Sequence, residues 1–151
     1  MATHRATSVV SAAILLVAVT GCDSLTPIEP GPDTGPLTGY IDGEEFIAVS
    51  ANSTITPAMV TIEASSGARS IRFEFNNLGA NNYFVGQGNP VSAEVVYDGS
   101  TWIAEGQTGS GTVTVTDLIS TFISGQFDFT LVRESDGRTI EVSVGRFILV
   151  G

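Results

Sequence analysis

Two side chains in the sequence could act as a soft nucleophile or as a base near neutral pH, Cys22 and His4, and both lie within the first 22 positions. If that stretch is removed or modified, no Ser-His-Asp or Cys-His machinery and no histidine-containing zinc site can be assembled. All six basic residues are arginine. The missing lysine excludes Schiff-base chemistry and a phosphate loop of the G-x-x-x-x-G-K-S/T kind. Carboxylates remain: Glu94, Asp98, Glu105, Asp117, Asp128, Glu134, Asp136 and Glu141, a pair of which could do acid/base or glycosidase work. Their scatter over turns and polar strand positions favours solvation instead. Asp117 and Asp128 flank one connection and could contribute to a calcium site, yet the oxygen-dense spacing of a dedicated calcium loop is missing. Among the aromatics, Tyr83 and Trp102 stand near loop boundaries, where amphipathic rings could contact a glycan, a peptide or a small apolar ligand. The competing expectation is that both rings pack at the edges of the fold. No catalytic residue, metal or cofactor is implied.

The position of the one cysteine matters more than its count. An 11-residue apolar run, Val9–Val19, follows Arg5 and precedes Thr20-Gly21-Cys22. That length suits a secretory signal and falls short of the roughly 20 residues that span a bilayer as a helix. Val19-Thr20-Gly21-Cys22 resembles the bacterial lipobox, in which small residues precede a cysteine that is lipidated and becomes the new N-terminus. The expectation is export, cleavage after Gly21 and acylation of Cys22, with the lipid bilayer as first partner. Two or three acyl chains, at about 0.8 kcal/mol per buried CH₂, make a stable anchor where one does not. The expected location is the bacterial cell envelope, on the periplasmic face of the inner membrane or at the outer membrane.

Three segments follow: residues 1–21 as lipoprotein signal peptide, 22–37 as lipidated cysteine and tether, and 38–151 as one domain. The tether holds Pro27, Pro30, Pro32 and Pro36 without hydrophobic periodicity, the composition of a semi-rigid spacer. Sixteen acidic and five basic side chains would remain after cleavage. Such a balance repels nucleic acid and anionic headgroups at short range.

The elements that must position these residues are strands. Apolar residues alternate at Val60 and Ile62; Ile71, Phe73 and Phe75; Val113 and Val115; Phe127, Phe129 and Leu131; Ile140, Val142 and Val144; Phe147 and Leu149. Turn signals separate them, including Asp42-Gly43, Ser66-Gly67, Asp98-Gly99 and Asp136-Gly137. Between Val144 and Phe147 the apolar parity changes, which predicts a bulge or tight bend at Gly145. Thr116–Ile123 could form a helical turn, but its β-branched residues and short length favour strand or irregular connection. The fold class expected is all-β: a single antiparallel β-sandwich or flattened β-barrel of about 8–10 short strands.

Several motifs carry a family resemblance: Gly43-Glu44-Glu45-Phe46-Ile47-Ala48, Asn82-Tyr83-Phe84, Ser110-Gly111-Thr112-Val113-Thr114-Val115, Ile123-Ser124-Gly125-Gln126-Phe127-Asp128-Phe129 and Gly145-Arg146-Phe147. In these the chain resembles small bacterial lipoproteins of the DUF6252 type, whose function is unknown. The resemblance implies the fold and carries over no catalytic residue. The functional expectation is a membrane-anchored binding or structural module with a possible glycan, peptide or protein partner in the envelope. Its rivals are a lipid-tethered, carboxylate-dependent hydrolase with two acids beside Trp102 or Tyr83, and an accessory or inhibitory subunit of an envelope complex.

Overall fold

The computed structural model describes residues 35–86, 88 and 90–150. The apolar run, Cys22 and the tether up to residue 34 lie outside the described residues. From Leu37 the chain forms eleven strands: β1 (Leu37–Ile41), β2 (Glu44–Ile47), β3 (Ser50–Ile55), β4 (Met59–Ser66), β5 (Arg69–Asn76), β6 (Asn82–Val85), β7 (Pro90–Tyr97), β8 (Ser100–Ala104), β9 (Ser110–Ile119), β10 (Phe122–Val132) and β11 (Thr139–Val150).

Their hydrogen-bonded order is β2-β1-β11-β10-β9-β6-β7-β5-β4-β3, and β8 joins β7 to β10. The ring β10-β9-β6-β7-β8 thus closes on itself as a small barrel, from which β11-β1-β2 extend one wall and β5-β4-β3 the other. The outer ends of the walls are joined as well, because β2 runs into β3 through a corner. There the Ala48 amide donates to the Leu37 carbonyl of β1 and the next amide, Val49, donates to Ser65 of β4, both at 2.9 Å. One bent strand therefore belongs to both walls.

The alternation read from the sequence is the burial pattern observed. Ile71, Phe73 and Phe75 of β5 and Phe127, Phe129 and Leu131 of β10 all face inward and are buried. Phe73 lies at the centre, with ring centroids 5.1 Å from Phe127, 5.7 Å from Phe147 and 5.8 Å from Phe129. Each such ring taken from water contributes roughly 1.5–3 kcal/mol. Leu37 is also fully buried, so the folded unit begins one residue before the expected tether boundary.

Glycines make room for these rings. Across the β9, β10 and β11 ladder, Gly111 pairs with Phe129, Gly125 with Phe147, and Gly145 with Phe127. A Cβ on Gly125 would lie 2.6 Å from the Phe147 ring, and one on Gly145 would lie 2.6 Å from the Phe127 ring. The spaced Gly and Phe residues of the closing half are thus reciprocal cross-strand partners, each ring lying over a bare backbone.

Three expectations change. There are eleven strands, and β10 and β11 run to 11 and 12 residues. One contact, β6 with β7, is parallel; turn signals mark hairpins, which are antiparallel, and cannot mark a strand that fills the gap between two walls. The bulge does fall beside Gly145, but the extra, left-handed residue is Val144, with φ +51°. Val144 is consequently 44% exposed and leaves the inward set to which alternation had assigned it. Thr116–Ile123 is strand, as expected, on both sides of a two-residue turn at Ser120-Thr121, where Ile119 pairs directly with Phe122.

Candidate functional site

Tyr83 and Trp102 are seated inside the barrel. Tyr83 comes from β6, has no exposed surface and lies 4.2 Å from the Phe75 ring centroid. Its hydroxyl donates to the Gly79 carbonyl at 2.7 Å and accepts from the Leu78 amide at 3.2 Å, tying the loop before β6 to the core. Burial pushes the phenol pKa up. Trp102 of β8 is 5% exposed, and its indole N–H donates to the Tyr97 carbonyl at 3.3 Å. The Arg133 guanidinium covers one face, 4.9 Å from the ring, and also grips Asp136 at 2.6 Å and Ser100 at 3.1 Å. The polar atoms of both rings are thus engaged internally. Both rings belong to the core cluster.

Two recesses open on the outer surface of the β5-β7-β8 wall. The larger, about 510 Å³, lies among Glu74, Phe75, Pro90, Val91 and the glycines Gly86, Gly88 and Gly106. Gly86 is held there at φ +72°, and any side chain on it would collide with the Gly106 carbonyl. The smaller, about 290 Å³, is lined by Glu74, Glu94, Glu105 and Glu134 with Arg72. Arg72 pairs with Glu74 at 3.2 Å and with Glu63 at 3.3 Å.

The acids of this groove and the two rings occupy opposite faces of one wall. Glu94 pairs with Ile103 on the outside, whereas the next pair, Val95 with Trp102, points inward. The carboxylates therefore do not converge beside Trp102 or Tyr83, as a hydrolase of the expected kind would require. Asp117 and Asp128 are separated too. Asp117 sits opposite Ser124 and accepts its hydroxyl at 2.7 Å, while Asp128 lies four residues further along β10, roughly 13 Å away. Among the described residues, no three His, Cys, Asp or Glu side chains gather as a cation site.

The two ends of the barrel differ more than its faces do. At one end lie the chain entry before Leu37, the end of β11 and the β9–β10 turn, since Leu37 pairs with Phe147, and Phe122 with both Val150 and Ile119. The turn between β3 and β4 closes against the same end, as Ile55, Thr56 and Pro57 share a recess with Leu118, Ile119 and Ser120. Exposed there are Ile119 (62%), Ile148 (64%) and Val150 (80%), with Phe122 half-buried between them. At the other end stand Asp42, Glu44, Glu45, Asp98, Glu134 and Asp136 beside Arg69, Arg133 and Arg138. Arg69 reaches Glu44 at 3.7 Å and the Phe46 ring at 5.7 Å. The Arg133 guanidinium holds the Asp136 carboxyl down to about 2. Tyr97 is pushed up by burial and then by Glu44.

Alternation reads Ile148, Val150 and Ile119 as outward positions, and their apolar character in that register was the available signal for this end. Nothing in residue type or spacing marked the glycine-walled recess. A barrel core closed by bridging strands, widened into two walls and filled with aromatics over glycines, defines a compact all-β module. The model for a domain of unknown function, DUF6252, matches residues 33–151, and the chain belongs to that family. No curated protein and no solved structure matches it.

Proposed function

We propose that this protein is a cell-envelope lipoprotein, anchored in the bilayer through acylated Cys22, whose all-β domain is a binding or structural module. The observation that carries the reading is Val19-Thr20-Gly21-Cys22 placed directly after the apolar run, with the only thiol of the chain at the lipidation position. The open recesses on the β5-β7-β8 wall suit a binding role, because glycine backbone and a few polar groups at a shallow concavity admit a glycan or peptide segment. An accessory role in a larger envelope complex is the same reading with a protein as the ligand.

The test is incorporation of an alkyne-tagged palmitate by the full chain in a bacterial host, with fractionation of envelope and soluble material. Label on the parent chain, lost together with membrane retention in Cys22→Ser, is the expected result. A chain that is secreted unlabelled overturns the anchor. Capture of envelope proteins and glycans by the anchored chain then separates a binding module from a purely structural one.

A further inference from the structure

We infer that the apolar end of the barrel rests on the lipid bilayer, an inference that builds on the reading of Cys22 as the anchor. Ile119, Phe122 and Val150 form one cross-strand row on the outer face of β9, β10 and β11, and Ile148 stands next to Val150 along the same face. Three of the four are more than half exposed. Three adjacent strands thus present apolar side chains at the positions where an antiparallel sheet normally shows polar ones.

Two observations identify the occupant. The first is where the chain comes in. The Pro36 carbonyl accepts from the Ile148 amide at 2.9 Å, so the polypeptide joins the fold beside the apolar row itself. Twelve residues separate Cys22 from Gly35, and the thirteen Cα steps limit the reach to about 45 Å even fully extended. The second is charge. The charged side chains nearest the row on its wall are Asp117 and Arg146, one of each sign, and Ile55–Met59 and Asn76–Asn81 contain none. The far end gathers six acids, Asp42, Glu44, Glu45, Asp98, Glu134 and Asp136, against three arginines. A domain of this polarity is oriented by an anionic surface: the acidic end is repelled, and the end whose two nearest charges cancel can approach and bury its side chains at the headgroup boundary. The bilayer therefore takes this surface, with the recesses of the β5-β7-β8 wall left facing the surrounding compartment.

The test uses the full acylated chain in vesicles of phosphatidylethanolamine and phosphatidylglycerol. Cysteine is placed at Thr121, in the turn beside the row, or at Ser135 in the far loop, and coupled to a polarity-sensitive fluorophore. Quenching by nitroxide lipids should be stronger at T121C than at S135C by roughly threefold or more, with a blue-shifted emission at T121C alone. Ile119→Ser with Val150→Ser should abolish the difference while the chain stays on the vesicles and keeps its circular dichroism. Equal, water-like signals from both labels on vesicle-bound protein overturn the contact but leave the anchor intact. A blue shift at T121C without lipid quenching, accompanied by cross-linked dimers, overturns it in favour of a second copy as occupant. Failure of the anchor itself is distinguishable, because an unacylated Cys22 would take up thiol reagent in the parent chain and the protein would not co-sediment with vesicles.

Discussion

The end where the chain enters and the opposite end are closed by different chemistry. At the entry end, neutral groups do the closing. Tyr83 fixes the loop before β6, Asn77 donates from its side chain to the Thr56 carbonyl at 2.7 Å, and the Thr56 hydroxyl donates to the Met59 carbonyl at 2.8 Å. At the far end, Asp42-Gly43 and Asp98-Gly99 are two-residue turns with positive φ at both positions, and arginines pair with acids nearby, Arg69 with Glu44 and Arg133 with Asp136. Each end is stable in its own way, and neither solution is interchangeable with the other. The difference teaches that the far end is closed with ion pairs and the entry end without them. Closing one end without ions leaves a surface that can approach a membrane or another apolar partner, whereas the ionic end stays in water.

The largest expected effect separates the two ends by the depth of the tie. Tyr83→Ala removes a fully buried ring packed on Phe75 and frees the loop that its hydroxyl held, so a loss of about 3–5 kcal/mol is expected from urea unfolding. Tyr83→Phe keeps the ring and should lose only about 1–2 kcal/mol, the cost of leaving the Leu78 amide and Gly79 carbonyl without their partner. Equal losses in both variants would mean that the hydroxyl alone closes this end.

A turn at the far end ranks next. Gly99 adopts φ +66°, a conformation that costs a β-branched residue dearly, so Gly99→Val should lower stability by about 1–2 kcal/mol. The same substitution at Thr121 of the entry-end turn should cost much less, because neither central residue of that turn has positive φ. Thermal melts of the two variants side by side would test whether the turns differ as their backbones do.

Between the ends lies Val144, a β-branched residue already strained at φ +51° in the β11 bulge. Val144→Asn should therefore raise stability by about 1 kcal/mol, since asparagine tolerates this region and the side chain is 44% exposed. An unchanged midpoint would mean that the Val144 methyls recover in packing what the backbone loses.

The strands were legible because their chemistry is local. Phe73, Phe127 and Ile140 reveal their inward face by alternation, and Asp98-Gly99 reveals its turn by composition. Closure was not legible. β6 and β8 bridge the walls through contacts of only two pairs and one pair with β7 and β10, and no residue pattern of so short a span fixes which walls it will join. The bulge was legible in parity but not in detail, because whether Val144 or Gly145 takes the left-handed position depends on the Phe127 ring that needs Gly145 bare. At the candidate site, Tyr83 and Trp102 were found by residue type, yet their orientation required knowing which face of β6 and β8 turns inward. The glutamates of the outer groove were visible singly and were gathered only by strand order.

The smallest expected effect concerns the ionic end and its response to pH. Asp136 is held at about 2, first by the hydrogen bond from Arg133 and then by the Arg138 amide, below the roughly 3.9 of an unfolded aspartate. A carboxyl depressed in the folded state adds stability that is complete above about pH 4 and is lost as the pH falls through 2. Because the pair is open to solvent, its contribution is small and weakened by salt. Asp136→Asn should remove this portion of the acid-induced loss, giving a slightly shallower fall of the melting temperature between pH 4 and pH 2. It should also loosen Arg133 from the Trp102 ring, so the indole emission of the variant at neutral pH should resemble that of the parent chain near pH 2. The entry end is closed by neutral hydroxyls and amides, and a fluorophore at T121C should not change over the same interval. If it did change, the two ends would be coupled through the barrel, and their separate chemistry would no longer mean separate stability.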